Sequence, residues 1–170
     1  MSGVEQAERG QRAGLAELYV QHAPDGIRLA FLLTGDRALA EDLVQEAFAR
    51  FVGRLGHLRN PDAFGWYLRR TLVNLSRSHL RHRKVERAYL EGVAANLGRP
   101  PTPEGELDER IHEALLRLPD RQRAALILRL YLDLSEGQTA QILRCRPGTV
   151  RSLVSRGMRT LRSELGVEAR

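Results

Sequence analysis

The clearest alternation of apolar and polar positions lies between Leu33 and Leu55, LTGDRALAEDLVQEAFARFVGRL. Ala40, Leu43, Val44, Ala47, Phe48, Phe51, Val52 and Leu55 recur at helical spacing and form one apolar stripe. Glu41, Asp42, Gln45, Glu46 and Arg50 fall between them and form the polar face. Thr34-Gly35-Asp36 reads as a loop and a helix start, with Asp36 as N-cap. The pattern predicts an amphipathic helix from Leu39 to Leu55. Upstream, Gln11 to Leu33 reads as a first helix with Leu15, Leu18, Tyr19, Ile27, Ala30, Phe31 and Leu33 as its apolar positions. Pro24-Asp25-Gly26 interrupts it, which predicts either two helices or a kink.

Downstream, Gly53 and Gly56 loosen the chain, and Gly56 to Asp62 reads as a loop. Asn60-Pro61 is a sharp boundary, because the residue before proline is pushed out of helical geometry. A third helix runs from Ala63 to about Tyr89, with Phe64, Leu68, Leu72 and Leu75 as its stripe. Arg70, Asn74, Arg77 and Arg81 are spaced four, three and four apart, so they align on a second face. Arg69, Arg83, Lys84 and Arg87 extend that patch, and only Glu86 opposes it. Such an imbalance favours a phosphate-tracking surface over an ordinary solvated face. Asparagine can also read a base edge. Phe64, Trp66 and Tyr67 are candidate stacking platforms for bases, but aromatics at helical spacing more often form core.

Gly92 to Glu106 holds Pro100, Pro101, Pro103 and three glycines, and reads as a linker without the apolar density for a core. Leu107 to Leu118 is a helix with Leu107, Ile111, Ala114, Leu115 and Leu118 as its stripe, ended by Pro119-Asp120. Arg121 to Leu132 is the next, apolar at Ala124, Ala125, Ile127, Leu128 and Tyr131. Ser135 and Gln138 then form a capping box that opens a short helix to about Leu143. Arg144-Cys145-Arg146 is the turn, and Pro147 takes the first position of a longer helix. Val150, Leu153, Val154, Met158 and Leu161 are its buried stripe.

Short helix, tight turn, longer helix is the helix-turn-helix pattern. The second helix exposes Gly148, Thr149, Arg151, Ser152, Ser155, Arg156 and Arg159, with Arg146 just before it. Residues 144–162 hold six arginines and no acid. Arginine serves guanine and phosphate, and short hydroxyls permit close approach in a major groove. Arg146 stands where a serine would cap the helix, and cannot accept that hydrogen bond, a loss of roughly 1 kcal/mol.

Composition narrows the picture. In 170 residues, 42% are hydrophobic and only 5% aromatic, so the cores should be small and built from Leu, Ala and Val. No apolar run approaches the roughly 20 residues of a membrane span. The polar start, MSGVEQAERGQRAG, lacks a signal-peptide h-region, and a single cysteine, Cys145, agrees with a reducing compartment; both point to the cytoplasm. The net charge is +6 and the pI about 10.4. Acid collects in the first part (Glu5, Glu8, Glu17, Asp25, Asp36, Glu41, Asp42, Glu46) and base in two later stretches. That asymmetry suggests one partner that is nucleic acid and another that is not. Lys84 is the only lysine. Arginine suits bidentate contacts, although a GC-rich genome accounts for the larger share of that bias.

The sequence shows no catalytic constellation. His57, His79, His82, His112 and Cys145 do not make a zinc-ligand set, and there is no Walker loop, dinucleotide fingerprint or G-x-S-x-G. Glu41, Asp42 and Glu46 share one exposed face with no histidine and no implied pocket, which argues against acid–base or metal chemistry there. No cofactor, metal or small-molecule substrate is expected.

Three strings carry a family resemblance. TGDRALAEDLVQEAFARF closely resembles the core-polymerase-binding segment of bacterial sigma-70-type sigma factors, in the small extracytoplasmic-function (ECF) form. NPDAFGWYLRRTLVNLSRSHLRHRK resembles the segment that recognises and helps melt the promoter −10 element. LPDRQRAALILRLYLDLSEGQTAQIL, continued by PGTVRSLVSRGMRTLR, resembles sigma region 4, which reads the −35 element. The resemblance implies an all-α fold of two small helical domains, 1–90 and 107–170, joined by a flexible linker, 91–106. It implies core RNA polymerase as a partner of Glu41, Asp42, Gln45 and Glu46. It implies promoter DNA as the partner of Arg70, Asn74, Arg77 and Arg81, and of Arg146, Thr149, Arg151, Ser152, Ser155, Arg156 and Arg159. By the same resemblance, the loop at Gly56–Asp62 pockets a flipped base, the linker threads toward the RNA exit path, and an anti-sigma factor, often membrane-tethered, holds the protein off. Two other readings remain: a stand-alone helix-turn-helix regulator, which leaves the acidic helix without a task, and a nucleic-acid enzyme using that helix.

Overall fold

A computed structural model describes residues 3–52, 62–89 and 106–167. Leu55, the predicted loop up to Pro61 and the predicted linker up to Gly105 lie outside the described residues. Everything described is helix or short turn, in the order α1 (Gly3–Thr34), α2 (Arg37–Val52), α3 (Asp62–Tyr89), α4 (Glu106–Arg117), α5 (Asp120–Leu126), a π-helical turn (Ile127–Tyr131), α6 (Glu136–Leu143) and α7 (Pro147–Leu165).

Pro24 neither splits α1 nor ends it. The carbonyl that it leaves without an N–H partner belongs to Val20, which is 77% exposed, so water can serve it. Two residues on, Gly26 is buried against α2 and α3. A Cβ there would meet Val44 Cγ2 at 3.2 Å and Leu72 Cδ1 at 3.3 Å, so the proline-glycine segment marks close helix packing. Gly35, at φ +74°, turns the chain between α1 and α2. Asp36 then caps α2 as the sequence predicts, its Oδ1 accepting from the Leu39 N–H at 3.0 Å.

The helices α1 to α3 enclose the first part of the core. Ala40, Leu43, Val44, Ala47, Phe48 and Phe51 of α2 are all buried. They meet Phe64, Leu68, Leu72 and Val73 of α3 and Leu29, Ala30 and Leu33 of α1. Phe51 and Phe64 are fully buried with ring centroids 4.5 Å apart, and Phe48 meets Phe64 at 5.0 Å with its ring tilted by 55°. Each buried phenylalanine contributes roughly 2–3 kcal/mol. Phe64 is therefore core, and Trp66 and Tyr67 lie half-buried against it.

The helices α4 to α7 make the second part. The helix predicted over Arg121–Leu132 starts at Asp120 and widens after Leu126 into a π turn, where the Leu132 N–H bonds to the Ile127 carbonyl. The wider turn shifts the helical phase. Ile127 and Leu128 stay buried, while Tyr131, expected on the apolar stripe, is 50% exposed beside Leu130. Gly157 lets α7 approach α5: a Cβ there would meet Leu126 Cδ1 at 3.1 Å.

The two parts share a seam. Leu134, Ile142, Leu143 and Leu153 belong to one continuous apolar cluster with Leu29, Leu72 and Leu75. Phe31 of α1 packs on His112 of α4, ring centroids 4.6 Å apart. The Arg123 guanidinium is buried in the seam and Nη1 donates to the Leu33 carbonyl at 2.6 Å. Nη2 donates to the Leu118 carbonyl at 3.3 Å and to Asp120 Oδ1 at 3.2 Å.

Candidate nucleic-acid interface

Three faces carry the predicted residues. On α2, Glu41, Asp42, Gln45 and Glu46 are all exposed, opposite the buried stripe. Arg37 Nε bonds Glu41 at 3.3 Å and Arg50 Nη2 bonds Glu46 at 2.6 Å, both one turn apart. Exposed pairs of this kind contribute a few tenths of a kcal/mol, so a partner can displace them at small cost. The structure brings the four residues together as one outward acidic strip.

On α3, Arg70 and Arg81 are exposed, while Asn74 and Arg77 are half-buried. The line predicted from spacing is thus divided. Arg77 faces the seam, and its guanidinium pKa is lowered, first by desolvation and then by the neighbouring charges of Arg121 and Arg81. Packing of α3 on α5 and α6 produces this, and spacing within α3 carries no sign of it. The four α3 residues aligned by spacing are therefore not all open to solvent while the seam is closed.

The helix-turn-helix takes shape from local chemistry. Ser135 caps α6: its Oγ accepts from the Gln138 N–H at 3.1 Å, and the Gln138 side chain accepts from the Ser135 N–H at 2.8 Å. Arg144 ends α6 in the left-handed region at φ 51°. Arg146 precedes Pro147 in extended geometry with no side-chain cap, as expected from its chemistry. Cys145, in the turn, is half-buried. Helices α5 and α6 support α7 from behind, with Val150 and Leu153 buried. Arg146, Arg151, Ser152, Ser155, Arg156 and Arg159 project outward, and Thr149 is half-exposed. Arg151, Ser152, Ser155 and Arg156 line a shallow depression on this face. Ser152 Oγ donates to the Gly148 carbonyl at 3.1 Å, and Arg156 Nε donates to the Ser152 carbonyl at 3.2 Å.

Two features have no local sequence signal. Arg123 bridges both halves of the core across a separation of 90 residues. Glu136 holds Arg151 by two bonds across 15 residues. Neither spacing belongs to a helix or turn pattern, so each becomes visible only when the helices are packed. Among the described residues there is no group of three His, Cys, Asp or Glu that could hold a metal ion, and no helix long and apolar enough to cross a membrane.

Comparison with known proteins fits this layout. Residues 18–86 match the family model of sigma-70 region 2, and residues 108–161 match that of sigma-70 region 4. The chain is 30% identical over 168 residues to the RNA polymerase sigma-H factor of Pseudomonas aeruginosa, covering 90% of this chain and 86% of that one. It is 27% identical over 177 residues to the ECF RNA polymerase sigma factor SigW of Bacillus subtilis, covering 95% and 94%. It superposes with a TM-score of 0.74 on the sigma factor RpoE in complex with the anti-sigma factor NepR from Bartonella quintana, at 28% identity, covering 91% of this chain and 98% of that one.

Proposed function

The chain belongs to the sigma-70 family as an ECF RNA polymerase sigma factor, a non-catalytic factor of transcription initiation, and from that premise we propose how its faces divide the work. The acidic strip of α2, Glu41, Asp42, Gln45 and Glu46, docks on core RNA polymerase. The α3 face, Arg70, Asn74, Arg77 and Arg81, takes the −10 element. The α7 face takes the −35 element through Arg146, Thr149, Arg151, Ser152, Ser155, Arg156 and Arg159. Residues 1–90 and 107–170 act as separate units in this scheme, tethered by 91–106. The protein works in the cytoplasm, with an anti-sigma factor as its restraint. The observation that carries the reading is the order of charge: one outward acidic strip on the first unit, and on the second an outward arginine face whose residues 144–162 include no acid.

Size then sets a condition. Elements 25 base pairs apart are separated by about 85 Å along B-form DNA. A globule of this chain length is only about 40 Å across. The residues between α3 and α4 can reach at most about 60 Å when extended. Both elements are engaged together only after the seam opens, which also releases Arg77. RpoE of B. quintana has its comparable fold while bound to an anti-sigma factor, and that supports the closed arrangement as the restrained state.

The test is transcription in vitro from a library of promoter fragments, using purified core polymerase with and without the protein. Start-site-specific transcripts that need the protein are expected, and they diminish when Asp42 and Glu46 are replaced by alanine. Salt-sensitive DNA binding without core binding or stimulation would sink the initiation reading and leave a plain DNA-binding regulator.

A further inference from the structure

Arg151 stands on the outward side of α7 with 75% of its side chain exposed, yet it is held in one orientation. Its Nε donates to Glu136 Oε1 at 3.2 Å and its Nη2 to Glu136 Oε2 at 3.0 Å. The carboxylate thus occupies the Nε–Nη2 edge of the guanidinium. Of the five N–H donors two are used, and the Nη1–Nη2 edge stays free. That remaining edge carries two parallel donors, the arrangement that matches O6 and N7 of guanine in the major groove.

Glu136 is itself well fixed. It is the first residue of α6, directly after the reciprocal Ser135–Gln138 cap. Its negative charge is favourable at the positive end of that helix. The clamp therefore runs from the start of the first helix of the motif to the first turns of the second. It does two things at once. It restrains a long side chain that would otherwise sample many rotamers, so less freedom is lost on binding. It also places a carboxylate beside the arginine, which weakens attraction for a phosphate and leaves a hydrogen-bonding edge suited to a base.

We propose that Glu136 is the positioning residue for Arg151, presenting its free Nη1–Nη2 edge to a guanine at one position of the upstream promoter element. Specificity at that base pair then rests on two residues 15 apart, one in each helix of the motif. This rests on the reading that α7 takes the −35 element.

The experiment uses the full chain with core polymerase on a promoter library randomised through the upstream element, with transcripts sequenced. Wild type is expected to prefer guanine at one upstream position. E136A lowers that preference about three- to tenfold, a part of the discrimination a bidentate pair supplies, and leaves the other positions and the −10 preferences as they were. R151A removes it, E136A/R151A matches R151A, and R151K, which keeps the charge without the fork, also removes it. A guanine preference that E136A leaves at its wild-type strength overturns the proposal. So does a uniform gain in use of all sequences with a steeper salt dependence, since Glu136 would then merely offset charge against phosphate. If wild type yields no protein-dependent transcript, the initiation reading falls first. If wild type transcribes but R151A alters no position, only the pairing falls.

Discussion

Replacing Arg123 by alanine should cost about 3 kcal/mol of stability. The side chain is 5% exposed, and its guanidinium serves three acceptors from both halves of the core. Leu33 lies in the last turn of α1, where carbonyls have no N–H partner within the helix. Arg123 thus caps α1 from the other unit, and its charge is favourable at that helix end. Burial pushes its pKa down and Asp120 pulls it up, but an arginine remains charged. In R123A the carbonyls of Leu33 and Leu118 lose this donor and Asp120 loses one cationic neighbour. One charged hydrogen bond is worth about 1.5–3 kcal/mol and a broken buried pair about 3–5 kcal/mol. Asp120 is 19% exposed and keeps part of its hydration, which places the sum at the lower end. R123M retains volume without charge and should lose about 2 kcal/mol, since the same three hydrogen bonds are lost. R123K supplies one compact charge for a planar fork and should recover only part of the loss. Urea denaturation followed by circular dichroism measures all three. A loss below about 0.5 kcal/mol in R123A would refute the reasoning, because the guanidinium would then not bridge the units in solution.

Other substitutions probe the turns and the clamp. G35A should destabilise by about 1–3 kcal/mol, because φ is +74° and a Cβ would lie 2.6 Å from Leu116 Cδ1; pairing it with L116A should restore only the steric part, as read by thermal melting. R144G should stabilise by about 1 kcal/mol by relieving a left-handed φ of 51° in a residue with a Cβ, and an unchanged melting temperature would contradict this. R146S should add roughly 1 kcal/mol by capping α7, measured in the same way. The Glu136 carboxyl is held below the ordinary carboxylate range, first by the hydrogen bond from Arg151 and then by its charge. A lowered folded pKa means that the clamp is intact above the ordinary carboxylate range and is lost as pH falls through the lowered value. In an NMR titration Glu136 should titrate below the ordinary carboxylate range and rise in R151A; a wild-type Glu136 that titrates within that range would show an unformed pair.

Most of the helices were legible because their causes are local. The Asp36 cap, the Ser135–Gln138 box and Pro147 at the start of α7 each act within four residues. The Ala40–Phe51 stripe is buried as its spacing predicts, and its acidic complement points outward. Where reading failed, competition from packing was the cause. At Pro24 only the two-helix alternative fails, because the carbonyl that the proline orphans lies on a solvent-exposed side and Gly26 lets the helix pack closely. The π turn after Leu126 moves Tyr131 off the stripe predicted for it. Arg77 aligns with Arg70 and Arg81 by spacing, yet the neighbouring helices half-cover it.

The sequence by itself determined the all-α class, the two helical blocks, the helix-turn-helix and the signs of the exposed faces. These follow from periodicity, capping and charge, which act over a turn or two of helix. Only the tertiary structure decided how the blocks meet, that Arg123 caps α1 across 90 residues, and that Glu136 holds Arg151. Such contacts are made between side chains brought together by packing, and no spacing along the chain encodes them before the helices are in place.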